Sequence, residues 1–155
     1  MKLTTSQSAP NSESRMATPA DSRVPMLFEL SQRFYFEAAH TLDRKTESEG
    51  SLRIHGHTYE AEVTVSGTPS VSNGMVVDLA YLRAEIARVK DMLDHRLLDE
   101  VPALGQATLE NLCMFIRAQM LETVPGLCAV MVERRARGDR CILRWRSPSF
   151  DLAGD

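Results

Sequence analysis

The sequence of 155 residues lacks the features that mark several classes of protein. No run approaches the roughly 18 apolar residues of a membrane-spanning helix, and the first ten residues contain no apolar stretch typical of a secretory signal. The formal net charge is -3, so no excess of positive charge is available to displace counterions from phosphates. The sequence therefore predicts a protein that binds neither a membrane nor nucleic acid.

Cysteine is also scarce. Cys113, Cys128 and Cys141 are odd in number and widely spaced, and no two of them form a CxxC pair. Such a set is typical of reduced thiols in a cytoplasmic protein and argues against a disulfide framework. Apolar residues make up 43% of the chain and charged residues 25%, which suffices for the core of one ordinary domain.

The first part of the chain differs in composition from the rest. Residues 1–26 are rich in Ser, Thr and Pro and have no apolar periodicity. We therefore predict a disordered N-terminal tail over residues 1–26 and a globular domain over residues 27–150. An upstream start codon is an alternative explanation of this segment, because Met16 and Met26 could each begin a chain.

Two segments near the start of the domain alternate apolar and polar residues, as strands with one buried face do. The first runs from Phe28 to Leu42 and the second from His55 to Ser66. Residues 43–53 between them are polar and predict a loop. The residues on the apolar parity are Phe34, Phe36, Ala38 and His40 in the first strand and His55, His57, Tyr59, Ala61, Val63 and Val65 in the second.

Two amphipathic helices and a hairpin follow in the sequence. Asp78 and Thr108 suit N-cap positions, and each precedes apolar residues that recur at spacings of three and four. Residues 127–133 and 140–147 predict two strands around a polar turn. The order ββααββ predicts an α+β fold in which an antiparallel four-stranded sheet carries two helices on one face.

The chain has only four histidines, and three of them share the apolar parity of the two strands. His55 and His57 are two residues apart on one strand, so their side chains point to the same side. With His40 at the end of the neighbouring strand, they match the three protein ligands and open fourth position of a catalytic zinc site. The alternative is that each is an ordinary histidine of the core or its rim.

Asp94 and His95 follow the first helix. Adjacent side chains on a helix do not face each other, so these residues can form a general acid–base pair only where the helix has ended. The alternative is a histidine placed favourably at a helix C-terminus beside a solvent-facing carboxylate. The basic turn is typical of a solvated hairpin tip, and binding of a phosphate by its four arginines is the second possibility. These are Arg134, Arg135, Arg137 and Arg140.

Five short segments then occur in a recognisable order and spacing: FEAAH at 36–40, HGHTYEAEV at 55–63, GMVVDLAYL at 74–82, LDHRLL at 93–98 and ATLEN at 107–111. On these residues the chain resembles the 6-pyruvoyl-tetrahydropterin synthase / 6-carboxy-tetrahydropterin synthase family, the pterin enzymes of the tunnelling fold. The resemblance covers residues 28–147.

The resemblance implies a ββααββ subunit assembled as trimers that stack into a homohexamer, with active sites between subunits. The catalytic pair would serve a site formed with a neighbouring chain. The site residues that the resemblance implies are the zinc ligands His40, His55 and His57, the catalytic pair Asp94 and His95, and Thr108 and Glu110 near the pterin pocket.

Two positions depart from the family's pattern. The catalytic cysteine of the 6-carboxy branch lies four residues ahead of the HGH segment, where this chain has Ser51, and a hydroxyl is a far weaker acid than a thiol. Some members use a glutamate in this loop, and Glu49 lies close by. The family's pterin-binding glutamate ends the third strand, where Arg134 stands here and Glu133 comes one residue early. Alternation sends Glu133 to the opposite face unless a β-bulge restores it.

We therefore predict a zinc-dependent lyase that converts 7,8-dihydroneopterin triphosphate to a 6-carboxy- or 6-pyruvoyl-tetrahydropterin, in queuosine or pterin biosynthesis. The residues expected to move protons or contact substrate are Asp94, His95, Ser51, Thr108, Glu110 and Glu133. One alternative is a diverged paralogue that keeps the zinc site and acts on a different small substrate, with Arg134 facing an anionic group. Another is a non-catalytic metal-binding scaffold, against which the placement of all four histidines at motif positions argues.

Overall fold

The structure is a computed structural model that describes residues 26–46 and 48–145. Apart from Met26, the predicted tail over residues 1–26 lies outside the described residues, as do the last five residues of the predicted domain. Among the described residues, no helix is both long and apolar enough to cross a membrane.

One five-stranded sheet forms the centre of the fold. Its strands are β1 (Phe28–His40), β2 (His55–Gly67), β3 (Arg96–Leu97), β4 (Leu127–Arg134) and β5 (Asp139–Arg144), and their order in the sheet is β3-β1-β2-β4-β5. All neighbouring pairs are antiparallel except β1 and β3. The predicted α+β class is confirmed, whereas the predicted number of four strands is wrong by one. Strand β3 has two residues, which is too short to show a period-two pattern.

The helices are α1 (Ser48–Ser51), α2 (Leu79–Leu93) and α3 (Leu109–Met120). Both predicted N-caps are confirmed: Asp78 Oδ1 accepts a hydrogen bond from Ala80 N at 2.7 Å, and Thr108 Oγ1 accepts one from Asn111 N at 3.2 Å. The short helix α1 lies within the segment predicted to be a loop. Its four residues are polar or glycine, so the sequence shows no apolar stripe there.

The two long helices cover one face of the sheet. Helix α2 packs on β1, and α3 packs on β4 and β5. Phe36 and Tyr59 lie at the centre of this face, fully buried, with their ring centroids 5.0 Å apart. Burial of a side chain of this size contributes about 1.5–3 kcal/mol. The opposite face carries charged side chains such as Arg33 and Glu62, whose Nε and Oε2 atoms are 2.6 Å apart.

The register of β1 and β2 decides where the functional side chains lie. His40 stands directly opposite His55, and Ala38 stands opposite His57. The alternation that buries Phe36 and Tyr59 thus continues to the end of the strand pair and places three histidines on the helix-covered side. The apolar core ends where these histidines begin.

Candidate metal centre and surrounding cleft

The three strand histidines form one cluster. Ring centroids of His40 and His55 are 4.5 Å apart, those of His55 and His57 are 4.9 Å apart, and those of His40 and His57 are 5.2 Å apart. One ring nitrogen from each side chain lies within 4.8 Å of the others. Tetrahedral zinc with Zn–N bonds of about 2.0–2.1 Å needs nitrogens roughly 3.3 Å apart, which rotation of the side chains can bring about. The cluster can therefore hold a metal ion.

His40 shows why this cluster suits a ligand. The side chain is fully buried, and neither Nδ1 nor Nε2 has a hydrogen-bond partner among residues 26–46 and 48–145. A buried polar group left unsatisfied costs about 1–3 kcal/mol. A bound cation would satisfy one of these nitrogens, so the donor set fits a metal that accepts imidazole.

The surroundings of the cluster keep the histidines in the form that binds metals. Burial is the largest cause that lowers the pKa of His40 to about 4, and the neighbouring His55 adds to it. Burial followed by the charge of Arg134 lowers the pKa of His57 to about 4. His55 Nδ1 lies 2.8 Å from the carbonyl oxygen of Arg53, and a proton donated there leaves Nε2 free to bind a metal. At neutral pH His40 and His57 are uncharged, as ligation requires.

A cleft of about 590 Å³ opens beside the cluster. His55 and His57 line one side of it, Ser48–Ser51 of helix α1 line a second, and Arg44, Arg134 and Arg137 complete the lining. The cleft is wide enough for a small organic molecule, since ligand pockets typically measure about 300–1,000 Å³. The three cysteines lie elsewhere, in α3, β4 and β5.

Helix α1 brings the two residues that the sequence offers in place of a cysteine to this cleft. Ser51 is buried, and its Oγ donates to the carbonyl oxygen of Ser48 at 3.2 Å. The Glu49 side chain is 92% exposed, and Arg53 Nη2 lies 3.4 Å from its Oε1. Both line the cleft. Ser51 is thus buried at the cleft, whereas the Glu49 side chain is exposed and paired with Arg53.

Asp94 and His95 meet because helix α2 ends at Leu93. The backbone of Asp94 is extended and His95 adopts the left-handed region with φ 56°, which turns the two side chains toward each other. His95 Nδ1 lies 3.2 Å from Asp94 Oδ1. The backbone N–H of Glu37 donates to Asp94 Oδ1 at 2.8 Å and is the largest cause that holds the pKa of this carboxyl below its usual value. This is the arrangement in which the carboxylate can orient the imidazole.

The Asp94–His95 pair is not gathered into the cleft. His95 is 78% exposed and borders a different depression, which it shares with Glu37, Gly56 and the other side of His57. Thr108 and Glu110 line a third depression of about 500 Å³. Arg134 lines both this depression and the cleft. One chain therefore presents its predicted site residues on separate surfaces around the histidine cluster.

Glu133 and Arg134 occupy opposite faces of the sheet. Strand β4 pairs regularly with β2 at this end, with Glu133 opposite Glu60, and the register shift lies farther away, between Thr64 and Val65. Glu133 accordingly lies on the charged face, where Arg135 Nε is 3.5 Å from its Oε1. Arg134 lies on the cleft side, with Nη1 3.4 Å from His57 Nε2. The bulge that would turn Glu133 toward the histidines is thus not at the position where it is needed.

Two further residues near the cluster were not singled out for chemistry in the sequence. The Tyr59 hydroxyl is buried without a partner in the described part of the chain, and burial raises its pKa to about 12. Asp99 accepts hydrogen bonds from the backbone N and Oγ1 of Thr41, and its charge acts on His40. The parity shared with His57 was a signal for Tyr59, whereas the place of Asp99 depends on tertiary structure.

Comparison with known proteins identifies the family. The model of the family described as 6-pyruvoyl tetrahydropterin synthase matches residues 29–144. The chain belongs to the 6-pyruvoyl tetrahydropterin synthase family. The dihydroneopterin monophosphate aldolase of Pyrococcus furiosus is 32% identical over 94 residues, which are 61% of this chain and 75% of that protein. The human 6-pyruvoyl tetrahydrobiopterin synthase is 32% identical over 111 residues, covering 63% of this chain and 77% of that protein.

The fold of the family agrees with the structure described above. The 6-pyruvoyl tetrahydropterin synthase of Caenorhabditis elegans superimposes with a TM-score of 0.67 at 25% sequence identity. The superposition covers 78% of this chain and 97% of that structure. The chain is therefore a member of a pterin synthase family, and it carries a cluster of three histidines that could bind a metal.

Proposed function

We propose that the protein is a zinc-dependent lyase that converts 7,8-dihydroneopterin triphosphate to a 6-carboxy- or 6-pyruvoyl-tetrahydropterin. The observation that carries this proposal is the cluster of His40, His55 and His57 at the edge of a cleft of about 590 Å³. Family membership supports the pterin substrate, and the all-nitrogen donor set supports zinc. Zinc held by these histidines would act as a Lewis acid on an oxygen of the substrate side chain.

The protein's own groups would move the protons of the reaction. Asp94 holds His95 through Nδ1, which leaves the exposed Nε2 of the ring to take up or release a proton. Because this pair faces away from the cleft of its own chain, we propose that it serves the cleft of a neighbouring subunit in a hexamer of two trimers. Ser51 or Glu49 would then be the second proton carrier, contributed by the chain to which the cleft belongs.

A second candidate function rests on the end of strand β4. Glu133 faces away from the histidines and Arg134 lies 3.4 Å from His57, so the cleft presents a cation where the family has a pterin-binding carboxylate. This favours a diverged paralogue that uses the same metal site on a different small substrate. One relative is named dihydroneopterin monophosphate aldolase, and this name supports a different reaction on a related phosphorylated compound.

Turnover of 7,8-dihydroneopterin triphosphate by the zinc-loaded protein, with products identified by mass, tests the proposal. Formation of 6-carboxy- or 6-pyruvoyl-tetrahydropterin supports the first function. A 6-hydroxymethyl product, left by simple cleavage of the side chain, contradicts the first function, because the reaction would then be a different one. The matched control is His95→Ala, which should keep zinc but lose turnover. A zinc-loaded, folded protein that forms no product from this compound contradicts the first function.

A further inference from the structure

The hairpin side of the cleft carries a group of cations that the reaction proposed above does not use. Arg134 ends strand β4, Arg137 lies in the 3₁₀ turn between β4 and β5, and Arg44 follows strand β1. All three line the cleft beside His55 and His57. We call them the arginine wall.

Arg134 is the member that is held in place. Its side chain is only 11% exposed, and Nη2 donates to Asp139 Oδ2 at 2.6 Å. Nη1 lies 3.4 Å from His57 Nε2, and Nε is buried with no partner in the described residues. A guanidinium has five N–H donors and no acceptor, so Asp139 satisfies only part of this group. Because Nε is buried, the N–H groups that remain for an acceptor at the cleft are those on Nη1 and Nη2.

The charge around the cleft is one-sided. The arginine wall supplies three cations, of which Arg134 is paired with Asp139. Among the described lining residues the acidic one is Glu49, which is 92% exposed and paired with Arg53. The histidines that face Arg134 are neutral when they bind a metal, so a bound divalent ion adds further positive charge. A concave site with this balance attracts and concentrates anions. The donor edge of a pterin would meet donors of the same kind, which is unfavourable.

We propose that the arginine wall is an oxyanion subsite that binds a phosphate or carboxylate group of the substrate directly beside the metal centre. The planar fork of Arg134 suits two oxygens of such a group, and Arg44 and Arg137 add charge from the rim. This inference rests on the proposed function, which places the reacting carbon of the substrate beside the metal. It adds which end of the substrate lies against strand β4. The substrate enters with its anionic group toward Arg134.

Calorimetric titration of the zinc-loaded protein with inorganic phosphate tests the subsite, with zinc content checked after each titration. Arg134→Gln should weaken phosphate binding at least about 10-fold, and Arg134→Lys should restore part of the loss, since lysine keeps the charge but not the fork. The matched control is Arg135→Gln, which removes the same charge from the same hairpin. Arg135 pairs with Glu60 on the other face, at 2.7 Å, so this variant should bind phosphate within about 2-fold of the parent.

Arg134 is mostly buried and bonded to Asp139, so Arg134→Gln could unfold the protein. A second variant therefore accompanies it. Arg44 and Arg137 are not buried, and the double variant Arg44→Gln/Arg137→Gln should fold and bind phosphate about 10-fold more weakly. A parallel titration with malonate separates the two anion classes. Tighter binding of phosphate assigns a phosphate group, and tighter binding of malonate assigns a carboxylate; both support the subsite.

Three results would overturn the subsite. They are no phosphate binding by the parent protein, unchanged binding in folded Arg134→Gln or in the double variant, and an equal loss in Arg135→Gln. Failure of the proposed function gives a different pattern. Phosphate would still bind through Arg134, while 7,8-dihydroneopterin triphosphate would remain unconverted.

Discussion

The two sides of the cleft differ in how the chain determines them. On the β1–β2 side, His40, His55 and His57 occupy the places that simple alternation assigns, and they continue the face on which the core is built. On the hairpin side, one residue of offset in β4 puts Arg134 into the cleft and Glu133 on the far side of the sheet. The first side has the donors of a metal centre, and the second has the charge of an anion site.

In the proposed function, one side of the cleft keeps the metal ligands, while the other side presents a cation where the family pattern has a carboxylate. Alternate residues of a strand point to opposite faces of the sheet. When the glutamate stands one position earlier in β4, the cleft therefore receives the hydrogen-bond donor Arg134 in place of an acceptor. The metal side tolerates no such exchange, since three nitrogens must meet at one point. We therefore expect the two sides to respond very differently to substitution.

Loss of a histidine on the β1–β2 side should have the largest effect. His55 is only partly buried, so His55→Ala should leave the protein folded and remove one of three ligands. Substitution of groups that merely support a ligand costs about 10–100-fold in metal affinity, so loss of a ligand should cost at least about 100-fold. Zinc content after dialysis against a buffered zinc solution measures this. His95→Ala is the control and should retain one zinc ion per chain; equal zinc loss in both variants would contradict the assignment.

Removal of His95 should separate chemistry from metal binding. A positioned general acid or base contributes about 100- to 10,000-fold, so His95→Ala should lower kcat by this factor at unchanged zinc content. Asp94→Asn should lower kcat as well, because the amide no longer supports a charged imidazole. Steady-state kinetics of the zinc-loaded variants measure both effects. An unchanged kcat in His95→Ala would leave this pair without a catalytic role.

The β1–β2 side should make the metal-free protein less stable as the pH falls. The pKa of His40 and that of His57 are lowered from 6.5 to about 4 by burial in the folded chain. The unfolded chain therefore takes up protons between about pH 6.5 and 4 that the folded chain does not, and the free energy of unfolding falls as the pH falls through this window. Thermal unfolding from pH 7 to 4.5 should show a falling Tm, with a smaller slope for His57→Asn.

Substitution of Glu133 should have the smallest effect. Its carboxylate lies on the charged face near Arg135 and Arg140, so Glu133→Gln should change kcat/KM by less than about 2-fold and stability by less than about 1 kcal/mol. Steady-state kinetics measure kcat/KM of this variant, and thermal melts measure its stability. A loss of substrate affinity above about 10-fold would mean that Glu133 reaches the pocket of an assembled protein and binds the pterin there.

Local patterns in the sequence predict much of this molecule. The N-caps at Asp78 and Thr108 and the faces of the strands follow from short-range patterns, and the structure has them. Pairing of β1 with β2 then brings the three histidines together. Helix α1 and strand β3 were not predicted, because four polar residues and a two-residue strand leave no periodic signal. The alternation rule also predicted the opposite faces of Glu133 and Arg134.

What the sequence could not predict depends on backbone turns and on distant contacts. The Asp94–His95 contact required the helix to end at Leu93 and His95 to adopt a positive φ, which no residue type at these positions demands. The place of Asp99 near His40 arises from packing between elements far apart in the chain. Such features become visible only once the tertiary structure is known.

The central claim is that His40, His55 and His57 hold zinc with a position left open for substrate. X-ray absorption at the zinc edge of the loaded protein tests it most directly. We predict three imidazole nitrogens and one further light atom at about 2.0–2.1 Å, with one nitrogen fewer in His55→Ala. A sulfur neighbour at about 2.3 Å, or a spectrum unchanged in His55→Ala, would place the metal elsewhere and contradict the account.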